Sequence, residues 1–240
     1  MGLFQALNEL TASTQTLVNY GINQAGDNMV AVSRDTGSTG SLAVIRFAKD
    51  TSTGQWYQTS DSVSITPGGV TTTNYVGIAF VGSFVYVSFI NNAPTTFVYR
   101  MSATNLSAGA TSMTISGTAP SSTTGIKTMY TDGTDLYIYS TSTTWYRFTI
   151  SGTTITNAQT LTGPDISAVT ATAWGDGSNV YMFFSGALRK YSFTLGSATA
   201  TTNLSVSNVV GIGYASSTSV YLMSRNSAGP ASYFYPITKN

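Results

Sequence analysis

Two carboxylates, Asp132 and Asp135, flank Gly133, and Asp176 repeats the first of them beside Gly177. Closely spaced carboxylates are what a calcium loop or a glycosidase acid/base pair requires. The further carboxylates of a calcium loop are missing, and Asp-Gly supplies the positive φ of a tight hairpin, so plain turn chemistry is the reading. A second set is cationic. Arg46, Arg100, Arg147 and Lys190 fall at one place in successive strand-like segments, with Tyr235 expected at that place in the last. A circle of cations would address an anionic ligand. With one cation per segment and a net charge of +1, the set reads instead as stems packed between neighbouring units, their heads bonding loop carbonyls or an Asp. A third set is aromatic. Trp56, Tyr57, Tyr75 and Trp145 break the regular pattern described below and sit among Ser, Thr and Asn. Exposed rings in such company stack on sugars, which makes these four the candidate ligand-binding residues.

What is missing narrows the chemistry further. The chain has no histidine and no cysteine. That removes the Ser-His-Asp triad, thiolate nucleophiles, the usual zinc sites and disulfides. Gly68-Gly69 and Gly211-x-Gly213 lack the helix and lysine of a phosphate loop. No catalytic residue, metal site or cofactor is therefore expected, and the chain is expected not to be an enzyme. Only 8% of its 240 residues are charged while 42% are hydrophobic, so it should bury a core beneath a surface of Ser, Thr, Asn and Gly. The near-zero net charge gives no electrostatic case for nucleic acid or acidic lipid. No apolar run reaches membrane-span length. The start Met1-Gly2-Leu3-Phe4-Gln5 has no signal-peptide pattern, and Ala6 stands where myristoylation wants Ser or Thr.

The elements that position these residues repeat. An apolar strand, a polar turn and an apolar-aromatic-apolar triplet recur as Ile78-Ala79-Phe80 with Val85-Tyr86-Val87, Thr128-Met129-Tyr130 with Leu136-Tyr137-Ile138, Thr172-Ala173-Trp174 with Val180-Tyr181-Met182, and Ile212-Gly213-Tyr214 with Val220-Tyr221-Leu222. A weaker first copy runs from Ile22-Asn23-Gln24 to Met29-Val30-Ala31. Five copies over this length give a unit of about 48 residues, in the range of a propeller blade. Each triplet is followed by a strand of β-branched and aromatic residues carrying the cation, and then by a more polar one: Ser62–Ile65, Met113–Ser116, Thr156–Leu161 and Asn203–Val206.

The expected fold is all-β: a five-bladed β-propeller of four-stranded antiparallel blades in one domain over residues 1–240, with blades near 19–66, 74–117, 125–162, 168–207 and 209–240. The last unit has three strands only, Ile212–Tyr214, Val220–Met223 and Ser232–Ile237. Residues 1–18, roughly through Gln5–Thr14, are expected to close the ring as the missing outer strand or to dock onto a partner. A short amphipathic helix is the alternative there, since Leu3, Phe4, Leu7 and Leu10 share a helical face. A two-sheet sandwich is the rival architecture, but it would not require five copies of one phrase.

The form Asp-Gly-(Thr/Ser)-x-(Leu/Val)-Tyr-apolar, as in Asp132–Ile138 and Asp176–Met182, followed by Tyr146-Arg147-Phe148, resembles known β-propellers over nearly the whole chain. Five-bladed members include lectins and glycosidases. Glycosidases of this kind need carboxylates placed in the central funnel, whereas the 9 acidic residues here fall mostly on turns. The composition is also similar in style to bacteriophage virion proteins, including tail and host-adsorption modules. That resemblance implies a non-enzymatic virion component in a larger assembly, its loops touching other virion proteins or a host glycan. A free secreted or cytoplasmic lectin with shallow sites on the blades is the alternative, and a glycan-active enzyme comes last.

Overall fold

Where β-branched and aromatic residues run without interruption, the chain forms strands buried on both faces. Where polar residues alternate with apolar ones, it forms strands with a wet side. The computed structural model describes residues 15–35, 41–66, 76–91, 95–120, 128–140, 142–167, 171–225 and 232–239. The segment expected to close the ring, 5–14, lies outside them, as does Tyr75. Among the described residues the fold is all-β, and its only helix is a 3-10 turn at Leu106–Ala108. No helix there is long and apolar enough to cross a membrane.

The first repeat contributes β1 (Gln15–Ile22), β2 (Asn28–Asp35), β3 (Leu42–Lys49) and β4 (Trp56–Ile65). The second gives β5 (Gly77–Val81), β6 (Phe84–Ile90), β7 (Thr96–Ser102) and β8 (Thr111–Ser112), followed by β9 (Thr114–Ser116). The third has β10 (Met129–Thr131), β11 (Leu136–Tyr139), β12 (Thr144–Ser151) and β13 (Thr154–Thr162). The fourth has β14 (Thr172–Gly175), β15 (Val180–Phe184), β16 (Ala187–Tyr191) and β17 (Ala200–Asn203). The last has β18 (Val209–Ser216), β19 (Ser219–Arg225) and β20 (Ser232–Thr238). Within each repeat, successive strands pair antiparallel.

Repeats two and four are four-stranded sheets. The third gains a fifth strand, because the segment expected as the outer strand of the second repeat, Met113–Ser116, pairs from Thr114 onward with the next sheet instead. Thr111 and Ser112 pair with β7, whereas β9 lies parallel to β13 of the next repeat. Buried Met113 is the pivot: its N–H donates to the Val98 carbonyl, and the next N–H, of Thr114, donates to the Thr153 carbonyl. The first and last repeats share a seven-stranded sheet of order β20-β19-β18-β1-β2-β3-β4. They meet through a parallel pairing of Tyr20 with Gly211 and Gly21 with Ile212.

Each innermost strand also packs on the next repeat's innermost strand: β1 on β5, β5 on β10, β10 on β14 and β14 on β18. Five hydrophobic clusters lie between successive repeats, four of them between separate sheets and the fifth between the two halves of the seven-stranded one. Val30, Val44 and Leu42 meet Phe80 and Val87. Tyr86 and Val98 meet Met129 and Phe148. Tyr137 and Trp145 meet Met182 and Phe184. Tyr181 and Leu188 meet Ile212 and Leu222. Met223 meets Tyr20, Ile22 and Phe47.

The innermost strands come together so closely that side chains are excluded at the contacts. A Cβ on Gly213 would stand 2.6 Å from Ile22 Cβ, one on Gly21 2.7 Å from Ile78 Cγ2, and one on Gly77 2.5 Å from Met129 Cβ. At Gly175 it would overlap the Thr131 carbonyl oxygen, a backbone atom that cannot swing away. Gly175→Ala should therefore cost about 2 kcal/mol or more in urea denaturation. Gly196→Ala, where nothing lies within 4 Å, should stay within about 0.5 kcal/mol of wild type. Equal stabilities of the two variants would contradict the close approach.

Candidate functional site

The third-strand cations are held as structural stems. Arg46 donates to Asn28 Oδ1 and reaches Asp61 at 4.0 Å. Arg100 lies over the Phe84 ring and donates to the Gly152 carbonyl of the following repeat at 2.5 Å. Arg147 bonds Asp135 at 2.7 Å. Lys190 lines a small hollow of about 170 Å³ with Tyr181, Leu188, Ala200 and Thr202. The three arginines thus have counterions or carbonyls of their own and do not form an anion-binding circle. Tyr235 does not take the equivalent place in the last repeat. Arg100, Arg147 and Lys190 face Tyr86, Tyr137 and Tyr181, but it is Pro236 that faces Tyr221, while Tyr235 faces Leu222.

The Asp-Gly turns are four-residue loops with Gly133 at φ +101° and Gly177 at φ +86°. Asp132 Oδ1 accepts from the Thr134 and Asp135 N–H groups, and Asp176 Oδ1 accepts from those of Ser178 and Asn179. Burial pushes both carboxyls up, but these hydrogen bonds outweigh it and hold both below the ordinary 3.8. The Tyr137 hydroxyl donates to Asp132 Oδ2 at 2.9 Å. Burial, with the neighbouring carboxylates Asp165 and Asp176, pushes the Tyr139 and Tyr181 phenols up to about 12, so neither serves as a base near neutral pH. The carboxylates are thus turn caps, each bound to its own loop. Among the described residues no group of three acidic residues could hold a metal.

The four candidate sugar-stacking residues part company. Trp145 is 0% exposed: Tyr139 and Tyr130 cover its ring, and its Nε1 donates to the Pro164 carbonyl. It is a core residue, and its place is regular after all. Two residues before Arg46, Arg100, Arg147 and Lys190 stand Val44, Val98, Trp145 and Leu188, every one buried. Trp56 is also buried, in the cluster between the last and first repeats, with Lys49 Nζ 5.8 Å from its ring centre. Tyr75 lies outside the described residues. Of the three described, only Tyr57 is exposed, at 53%, on β4.

The innermost strands leave an opening of about 290 Å³ lined mainly by Ile22, Ile78, Phe80, Tyr130, Trp174 and Ile212. It is apolar and small for a ligand site. The more accessible surface is β4, an edge strand that exposes Tyr57, Gln58, Ser60, Ser62 and Ser64 along its length. Gln58, Ser62 and Ser64 lie on one face of the strand and Tyr57 on the other, where Asp61 accepts from the Leu106 and Ser107 N–H groups and from the Ser107 hydroxyl and so fixes the 3-10 turn of the second repeat against β4. The sequence showed Tyr57 but gave no sign of this neighbour, because Asp61 and Ser107 are distant in the chain.

The lowered carboxyls have a consequence for pH. A carboxyl whose folded pKa lies below its unfolded value stabilises fully above that value and loses the contribution as the pH falls through the folded one. Urea midpoints should hold steady down to about pH 4 and fall below it, and Asp132→Asn should flatten the fall. A variant as acid-sensitive as the wild type would show that Asp132 carries none of it.

No family model and no curated protein matches the sequence. Among solved structures the chain is similar to SapL1 lectin, solved in complex with alpha methyl fucoside, at TM-score 0.52 and 13% identity, covering 92% of this chain and 76% of that one. A second similar structure is that of U3-55K, at TM-score 0.47 and 10% identity; the match covers 92% of this chain and 61% of the length of U3-55K. At 13% identity the likeness to the lectin is one of fold, and the four- and five-stranded sheets fit a β-propeller.

Proposed function

We propose that the chain is a non-enzymatic binding module: five repeats closed into one β-propeller, presenting a polar and nearly uncharged surface to a neutral glycan. Closure is supported by the parallel contact of β1 with β18 and by a hydrophobic cluster between every pair of successive repeats, the last and first included. The observation that carries the functional part is where the charges and aromatic rings go. The arginines and most rings are taken up by packing, which leaves Tyr57 exposed on the face of β4 that also carries Asp61, with Ser107 of the second repeat bound to it. Such a surface suits a sugar, which offers hydroxyls to the polar groups and a C–H face to the ring. The fold likeness to a lectin supports the same ligand class. Placement in a bacteriophage virion rests on composition.

Glycan-array binding tests the reading. The wild-type protein should bind at least one neutral glycan. Tyr57→Ala should weaken that binding roughly tenfold, equivalent to about 1.4 kcal/mol, without changing the melting temperature. A wild type that binds no glycan, or a Tyr57→Ala variant that binds undiminished, would overturn it.

A further inference from the structure

One position separates the fifth repeat from the second and fourth, and the first repeat shares its lysine there: Phe47 faces Met29, and two residues on stands Lys49. In the fourth repeat Tyr191 faces Val180, and two residues on stands Phe193. In the second, Met101 faces Val85, and two residues on stands Ala103. In the last, Ile237 faces Val220, and two residues on stands Lys239. The backbone is equivalent too: the Ala103 N–H donates to the Ser83 carbonyl, and the Lys239 N–H donates to the Thr218 carbonyl. A position that carries an apolar side chain in two repeats therefore carries an ammonium in the last.

The surroundings match the change. Phe193 packs its ring 6.0 Å from Tyr130 and 5.6 Å from Tyr137, the inner-strand aromatics of the third repeat. Lys239 does the same against the fourth repeat, its Nζ 5.0 Å from the Trp174 ring centre and 5.4 Å from that of Tyr181. A third ring, Tyr214 of its own repeat, stands at 5.8 Å. The carboxylate of Asp176 lies 3.5 Å from Nζ, and the Lys239 side chain is only 9% exposed. Removing an ammonium from water is costly unless charge and polarisable faces replace the water, and here three aromatic faces and a carboxylate do so. Trp174 is itself fixed from behind, since its Nε1 donates to the Ile22 carbonyl of the first repeat at 3.1 Å.

We propose that Trp174, Tyr181, Tyr214 and Asp176 form a cage for an alkylammonium ion, with the Lys239 side chain as its resident ligand, and that filling the cage fastens the last repeat to the fourth. The selectivity follows from the parts. A carboxylate and three π faces favour a cation over an apolar group of the same length, so the cage should tell Lys from Met. It should also accept a free alkylammonium when Lys239 is shortened.

The test uses the full chain and thermal melting. Lys239→Ala should lower Tm by about 2–6 °C. n-Butylammonium chloride should restore at least half of that loss, and sodium chloride at equal ionic strength should not. Adding Asp176→Asn to Lys239→Ala should abolish the rescue. Lys239→Met keeps the stem without the charge; a wild-type Tm for it would overturn the proposal, as would an unchanged Tm for Lys239→Ala or rescue by both salts. Should Lys239→Ala not fold, the wild type still decides by NMR. One lysine should show side-chain methylene protons moved upfield by ring currents and assigned to Lys239, and ordinary shifts for Lys239 would overturn the proposal.

Discussion

The arrangement depends on how closely the innermost strands approach one another. At the contacts of β1 with β5, β5 with β10, β10 with β14 and β18 with β1, a glycine stands where a Cβ would meet its neighbour at 2.7 Å or less. Backbone packs there on side-chain roots or on backbone. Only with that approach can each repeat lay one face on the preceding repeat and the other on the following one, which is why the hydrophobic clusters lie between repeats. Stability in such an arrangement comes from the interfaces between units, since a single sheet has two apolar faces and no core of its own.

Close packing makes the register of each hairpin consequential. Tyr130 lies opposite Tyr137 and Trp174 opposite Tyr181, so in the third and fourth repeats both rings point into the same gap. In the second repeat the spacing between the two rings is one residue shorter and the turn tightens to two residues. Phe80 lies opposite Val85, and Tyr86 opposite Ala79. Phe80 therefore packs towards the first repeat and Tyr86 towards the third. In the last, a bulge between Tyr214 and Ser216 has a similar effect, and Tyr214 borders two clusters. A one-residue slip sends a side chain to the other face of a sheet, and here it decides which neighbour a ring contacts.

Much of this was readable beforehand. The repeated phrase, the Asp-Gly turns, the buried triplets and the structural role of the arginines all follow from periodicity and composition. The slip at Phe80 was also legible, as a spacing of six residues from Phe80 to Tyr86 against seven from Tyr130 to Tyr137. Trp145 was misjudged because it is large where its counterparts are Val44, Val98 and Leu188, although its position is the same. The division of the outer strand at Met113 was not legible, because pairing β9 with β13 depends on where the third repeat lies. The steric role of Gly175 and Gly213 was hidden for the same reason. Of the candidate site, Tyr57 was visible as an off-pattern ring, but the exposed row along β4 and the Asp61 contact to Ser107 appear only in three dimensions.

Function in such a scaffold falls to what packing leaves over. Two places depart from the repeat in ways that packing alone does not require: the exposed Tyr57 on β4 and the charged Lys239 among aromatic rings. The first offers a surface for a neutral ligand, and the second fastens one repeat to another. The second lies beside the junction of the first and last repeats, since Trp174 Nε1 donates to the Ile22 carbonyl. Native-state hydrogen exchange at that junction tests the joining most directly. If the ring is closed, the amides of Tyr20–Ile22 and Gly211–Gly213 should be as protected as those of the central strands β6 and β11. Exchange there as fast as in the exposed turn at Gly196 would contradict the closed arrangement.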